Sequence, residues 1–139
     1  MGFDLGFSEP KVNHREPLVE NLFELLGLQS FDGKFLSDKS FYKFFYKNDL
    51  NDFVNLKQEI EKGMGHINNE TKKIEEILST CVSIAYLEII MFENFKDECE
   101  MCCEKAKKAL VKMVGDEGKS NIIIEKAKDW IKIWVNEGK

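Results

Sequence analysis

Apolar residues recur at three- and four-residue intervals through most of the chain. Leu18, Leu22, Leu25 and Leu26 follow Pro17, with Glu16, Glu20 and Glu24 between them, which is the spacing of one face of an amphipathic helix. Pro17 suits a first helical turn, where its missing N–H costs nothing. Gly27 loosens the end of this helix, and Phe31-Asp32-Gly33 reads as a turn, because glycine accepts a positive φ. Ser37 is the expected N-cap of a short second helix, with Asp38 favourably placed beside it and Phe41, Phe44 and Phe45 on its apolar face. Asn48 and Asp49 offer a cap for a third helix, striped by Leu50, Phe53, Leu56 and Ile60 and stopped by Gly63 and Gly65.

Asn68 or Asn69 would cap a fourth helix running through Ile74, Ile77, Leu78, Cys81, Ala85, Glu88 and Phe92. From Ile84 to Phe92 only Tyr86 and Glu88 interrupt the apolar residues, so this helix is expected at the centre of a bundle. Asn94-Phe95-Lys96-Asp97 predicts a break, with Asp97 opening a fifth helix whose stripe is Cys99, Cys102, Cys103, Ala106, Leu110 and Met113. Gly115-Asp116-Glu117-Gly118 predicts a loop, and Ser120 the cap of a sixth helix striped by Ile123, Ile124, Ala127, Trp130, Ile131 and Trp134. No alternation of period two stands out. The pattern therefore predicts an all-α fold: a single-domain bundle of about six helices joined by short loops, packed as antiparallel neighbours. Residues 1–15 carry no period and are expected as an irregular lead-in to a helical domain over 16–139.

Composition narrows what such a bundle can do. With a formal net charge of -5 and its 20 basic residues dispersed, the chain lacks the basic stripe of a nucleic-acid-binding domain and the polybasic patch of a membrane-surface one. No apolar run approaches the roughly 18 residues that span a bilayer. The first residues lack the basic start and apolar stretch of a signal peptide, and Gly6 stands where a myristoylation pattern needs Ser or Thr. The chain is expected in the cytoplasm, with its four cysteines reduced.

The residues that could carry chemistry are sparse. Cys99-x-x-Cys102-Cys103 lies along a helix with no strand before it, and only Cys81, His14 and His66 remain as partners, at no zinc-site spacing. These thiols read as small core hydrophobes, and no metal or cofactor is expected. His14 and His66 read as loop residues without a nucleophile nearby. Gly63-Met64-Gly65-His66 lacks the Gly-Lys-Ser/Thr ending of a phosphate loop. Glu104 with Lys107 and Lys108 reads as a solvated helix face. The chain is not expected to be an enzyme.

The aromatic segment Phe41-Tyr42-Lys43-Phe44-Phe45-Tyr46-Lys47 is the most unusual stretch. One helix face cannot bury five aromatics in six positions, so either part of the segment lies on the surface as an anchor for a partner, or the short helix is covered on two sides by its own domain. Trp130 and Trp134, one turn apart, read first as core packing, with an anchor pair laid into a partner's groove as the alternative. The partner-binding candidates are thus Phe41, Phe44, Phe45, Trp130 and Trp134.

Three segments, in order, resemble a known family. They are Leu25-Leu26-Gly27-Leu28-Gln29-Ser30-Phe31-Asp32-Gly33-Lys34-Phe35, Ser79-Thr80-Cys81-Val82-Ser83-Ile84-Ala85-Tyr86-Leu87-Glu88, and the stretch from Lys96-Asp97-Glu98-Cys99-Glu100 to Glu104-Lys105-Ala106-Lys107-Lys108-Ala109-Leu110. Together they are similar to the C-terminal helical region of proteins built from a vault-inter-alpha-trypsin domain and a von Willebrand A domain. The same region ends vault poly(ADP-ribose) polymerase as its major vault protein interaction domain. Ser79, Cys99 and Ala109 stand where that family usually has tryptophan. The resemblance implies a non-enzymatic interaction domain, with major vault protein as the protein partner and vault particles, which are ribonucleoprotein assemblies, as the destination. The alternative is a carrier of a small hydrophobic ligand or lipid, with a pocket inside the bundle lined by the many phenylalanines.

Overall fold

A computed structural model of the chain describes residues 13–64 and 71–138. The described residues form an all-α bundle of six helices. In chain order these are α1 (Val19–Leu26), α2 (Lys39–Phe44), α3 (Val54–Met64), α4 (Thr71–Tyr86), α5 (Lys96–Val114) and α6 (Glu117–Glu137). A 3-10 turn, Leu50–Phe53, leads into α3, and a π-helical turn, Leu87–Met91, extends α4. Among the described residues the only extended pairing is a single bridge between Gln29 and Phe35.

The periodic stripes become the core. Leu50, Phe53, Leu56 and Ile60 are all buried on the 3-10 turn and α3, as are Ile123, Ile124, Ala127, Ile131 and Trp134 on α6. On α5, Cys99, Cys103, Ala106 and Leu110 are buried, while Cys102 and Met113 are half-buried. The centre is α4, on which every residue from Ile77 to Leu87 is buried. It packs against α6 and α5, as a helix apolar on all sides must.

The helix ends differ from the sequence reading by a residue or more. Asp38, not Ser37, caps α2, accepting from the N–H groups of Ser40 and Phe41 at 3.0 and 3.3 Å. Asp49 caps the 3-10 turn by accepting from Asn51 N–H at 2.8 Å. Helix α5 opens at Lys96 behind Phe95, not at Asp97. Gly115 ends it in a left-handed conformation, φ 84°, and the extended Asp116 caps α6 by accepting from Lys119 N–H at 2.9 Å. The expected four-residue loop therefore shrinks, because the stronger cap lies earlier. Ser120, the expected cap, is buried inside α6. Helix α3 runs through Gly63; Gly65, His66, Asn68 and Asn69 lie outside the described residues.

The connection between α1 and α2 is tightly held. Phe35 is fully buried, its N–H donating to Thr80 Oγ1 at 3.1 Å and its carbonyl accepting from Ser79 Oγ at 2.6 Å. Two small hydroxyls of α4 thus take the place of a neighbouring strand, satisfying backbone groups that burial would otherwise leave costly. Gly33 reverses the chain at φ 100°, and a Cβ there would fall on the Lys105 carbonyl oxygen of α5. Both the left-handed backbone and the close approach require glycine. Gly33→Ala is expected to lower the unfolding free energy by more than about 2 kcal/mol in urea titration, whereas Gly115→Ala, where a Cβ meets open space, should cost about half of that, from backbone strain alone.

Candidate functional site

The segment after Asp38 has too many aromatics for one helix face, and the fold resolves this by covering α2 on more than one side. Phe44 meets Tyr86 edge-on at 5.2 Å, and Phe45 packs between Tyr86 at 5.7 Å and Trp134 at 5.0 Å. Phe41 contacts Phe45 and Phe53 at 5.1 and 6.2 Å. The Trp134 indole N–H donates to the Phe45 carbonyl at 2.9 Å, so its one polar atom is satisfied inside the cluster. Tyr42 is also buried, with its hydroxyl donating to Glu75 Oε2 at 3.0 Å. Burial, reinforced by that carboxylate, raises the Tyr42 pKa. Only Tyr46 turns outward: it adopts φ 61°, and its ring is 46% exposed.

Four of the five partner-binding candidates are therefore in the core. Phe41, Phe44, Phe45 and Trp134 are buried to within 1%, and no partner can touch them without opening the bundle. The expectation of a surface patch assumed that α2 has a single buried face; α4, α6 and the N-terminal residues instead enclose it.

Those N-terminal residues were missed as contacts because they carry no period. Tyr86 Oη donates to the His14 carbonyl at 2.6 Å, and His14 N–H donates to Tyr46 Oη at 2.8 Å. The His14 ring stacks on Phe44 at 4.2 Å, with Nδ1 2.7 Å from the Phe44 carbonyl and Nε2 3.2 Å from Glu24. Arg15 donates from Nε to the Trp134 carbonyl at 2.7 Å and lays its guanidinium over Tyr46 and Trp134 at 4.8 and 4.6 Å. Residues 13–15 form a strap that closes the bundle over α2 and α6.

Trp130 has a different fate. It is half-buried, stacked on Phe53 at 4.5 Å with the Lys47 ammonium 5.8 Å above its ring. It lines a cleft of about 240 Å3 between α3 and α6, together with Leu56, Ile133, Asn55, Glu59, Lys126 and Asp129. Leu56, Trp130 and Ile133 supply apolar surface, the others a polar rim, and Ile133 is 63% exposed. An apolar floor inside a polar rim is the anatomy of a protein-binding patch.

The thiols offer little reactivity. Burial pushes Cys99 up to about 11 and Cys103 up to about 12, and it raises Cys81 and Cys102 too. At neutral pH they stay protonated, whereas a nucleophilic cysteine needs a lowered pKa. Nearby, Glu88 sits in the π-helical turn, 2.6 Å from Lys107 Nζ on α5 and 3.0 Å from Lys128 Nζ on α6. Lys107, read from sequence as part of a solvated pair with Glu104, instead ties α5 to α4. Among the described residues no cluster of three or more His, Cys, Asp or Glu could hold a metal ion, and no helix is long and apolar enough to cross a membrane.

Comparison with protein-family models, with curated proteins and with solved structures gives no match for this chain.

The Glu88 triad has a pH signature. Burial raises the Glu88 pKa, but hydrogen bonds from Lys107 and Lys128 outweigh it and hold the carboxyl below the ordinary glutamate range. A carboxylate with a depressed folded pKa stabilises fully above its unfolded value and loses that contribution as pH falls through the folded one. Glu88→Gln should therefore be less stable than the native chain by about 1–2 kcal/mol at pH 7. The difference should close below about pH 4, which urea midpoints across pH would show.

Proposed function

We propose that this bundle is a non-enzymatic, cytoplasmic protein-interaction domain that engages its partner through the α3–α6 cleft. The observation that carries this reading is Trp130, a half-buried indole that lines the cleft with Leu56 and Ile133, beside the charged side chains of Glu59, Lys126 and Asp129. Tryptophan is prominent among the residues that dominate interface energies. Stacking on Phe53 already fixes its ring, so little rotamer freedom remains to be lost on binding. By its resemblance to the C-terminal region of the vault-inter-alpha-trypsin family, the leading partner is major vault protein, and the role is to bring cargo to vault particles.

The interior favours this over the carrier reading. Positions that would line an internal pocket hold Trp134, Tyr86, Phe35, Phe41, Phe44 and Phe45, all fully buried and packed on one another. Protonated, buried thiols likewise favour a binding role over nucleophilic chemistry.

Ile133→Asp is the variant of choice, because Ile133 is 63% exposed and its loss leaves the core intact. Titration calorimetry with purified major vault protein should show binding by the native chain and at least a tenfold weakening by Ile133→Asp, about 1.4 kcal/mol, with helical circular dichroism unchanged. Equal binding by both chains, or none by the native chain, would contradict the proposal.

A further inference from the structure

The turn between α1 and α2 exposes the most accessible large apolar side chain described. Phe31 is 91% exposed, yet the turn that carries it is anchored on both sides. Ser30 N–H donates to the Lys34 carbonyl at 2.7 Å and Gly33 N–H to the Ser30 carbonyl at 3.0 Å. The Asp32 carboxylate accepts from the Ser30 hydroxyl and from Lys34 N–H. The Gln29 amide bridges outward, donating to the Gly33 and Cys102 carbonyls at 3.1 Å each. A phenyl ring held in water on a rigid turn forgoes about 2 kcal/mol of burial, which contact with a partner would recover.

Two residues of the same turn, Asp32 and Lys34, line a cavity of about 350 Å3 together with Lys73, Ala109, Lys112 and Met113. Its three ammonium groups come from three separate elements, the turn, α4 and α5, and face one carboxylate. That carboxylate, Asp32, lies 3.8 Å from Lys34, which is also 3.7 Å from Glu76. Among the described residues Lys73 and Lys112 form no ion pair. In a chain of net charge -5, this cavity concentrates positive charge against the turn that carries Phe31.

We propose that the Phe31 turn and this cavity dock a short acidic peptide segment, its carboxylates against Lys73 and Lys112 and one apolar side chain against Phe31. The site goes beyond the Trp130 reading and uses none of its residues. Local charge favours a peptide over an extended polyanion. A second cleft of about 320 Å3 shares Asp32 and Lys34 and adds two carboxylates, Asp38 and Glu76, against one further ammonium, Lys72. A nucleic acid needs a continuous basic track for its phosphates, and an anionic bilayer needs a polybasic surface; either would meet these carboxylates. A short segment with a few acidic residues fits the cavity alone.

The test is fluorescence anisotropy with a labelled peptide of six glutamates around a central leucine, beside the same peptide with glutamine for glutamate. The glutamate peptide should bind saturably and weaken as salt rises, because exposed charge pairs are screened, while the glutamine peptide should bind at least tenfold less tightly. Lys73→Glu with Lys112→Glu should weaken binding tenfold or more, and Phe31→Ser by several-fold. Lys112→Glu alone, at an exposed position, should weaken it about threefold, with circular dichroism confirming the fold in each case. No saturable binding, equal binding of the two peptides, or insensitivity to the lysine variants would overturn the proposal. So would a loss caused by Ile133→Asp instead, or tighter binding of phosphatidylserine vesicles or a single-stranded oligonucleotide through the same lysines.

Discussion

Trp134 is where three distant parts of the chain become one structure. Its indole N–H reaches the Phe45 carbonyl on the far side of the aromatic cluster, and its own carbonyl accepts the Arg15 guanidinium, 119 residues earlier in the chain. Around it, Phe45, Tyr86 and Tyr46 pack at ring separations of 5.0, 6.1 and 6.0 Å. Each such aromatic pair adds about 0.5–1.5 kcal/mol beyond the area it hides. Without this knot, α2 would be a six-residue helix carrying more apolar surface than it could cover, and helices that short do not persist in water by themselves. With it, α2 becomes a plug between α4 and α6, and the N-terminal strap closes over it.

The proposed binding surfaces follow from that closure. Because the α2 aromatics and Trp134 are consumed inside, Trp130, one turn back on α6, is the tryptophan that can face a partner, supported from beneath by Phe53. The connection preceding α2 is governed from the other side of the molecule: Ser79 and Thr80 of α4 grip both backbone groups of Phe35, and Gly33 rests on α5. That grip turns a surface loop into a rigid mount for Phe31. Small polar residues in the middle of an otherwise apolar helix thereby shape a feature on the outside.

The helices were legible in the sequence because burial repeats at the helical period: the stripes over Leu50–Ile60 and Ile123–Trp134 became core, and Ile77–Leu87 became the centre. Caps were harder. Ser37 and Asp38 compete for one helix start, and Ser120 lost to Asp116, because a cap depends on which residue is extended, and neighbouring backbone contacts decide that. The aromatic segment left two readings open for a different reason: the number of sides on which α2 is covered is a tertiary fact, set by Tyr86 and Trp134 far along the chain. The strap at His14 and Arg15 left no periodic trace, since its contacts with Phe44 and Trp134 span 30 and 119 residues of chain. Phe31 was visible as part of a turn, but not as an exposed ring, because exposure depends on what fails to pack against it.

Amide hydrogen exchange across 40–46, read against that of α4, tests most directly whether α2 belongs to the core. If its aromatics are locked between α4 and α6, the protected amides of α2 should exchange only through the global unfolding that also releases those of Ile77–Leu87, with matching free energies and the same denaturant dependence. Exchange of α2 through a local opening several kcal/mol below the global value would contradict this. Phe41, Phe44 and Phe45 would then be open to a partner after all.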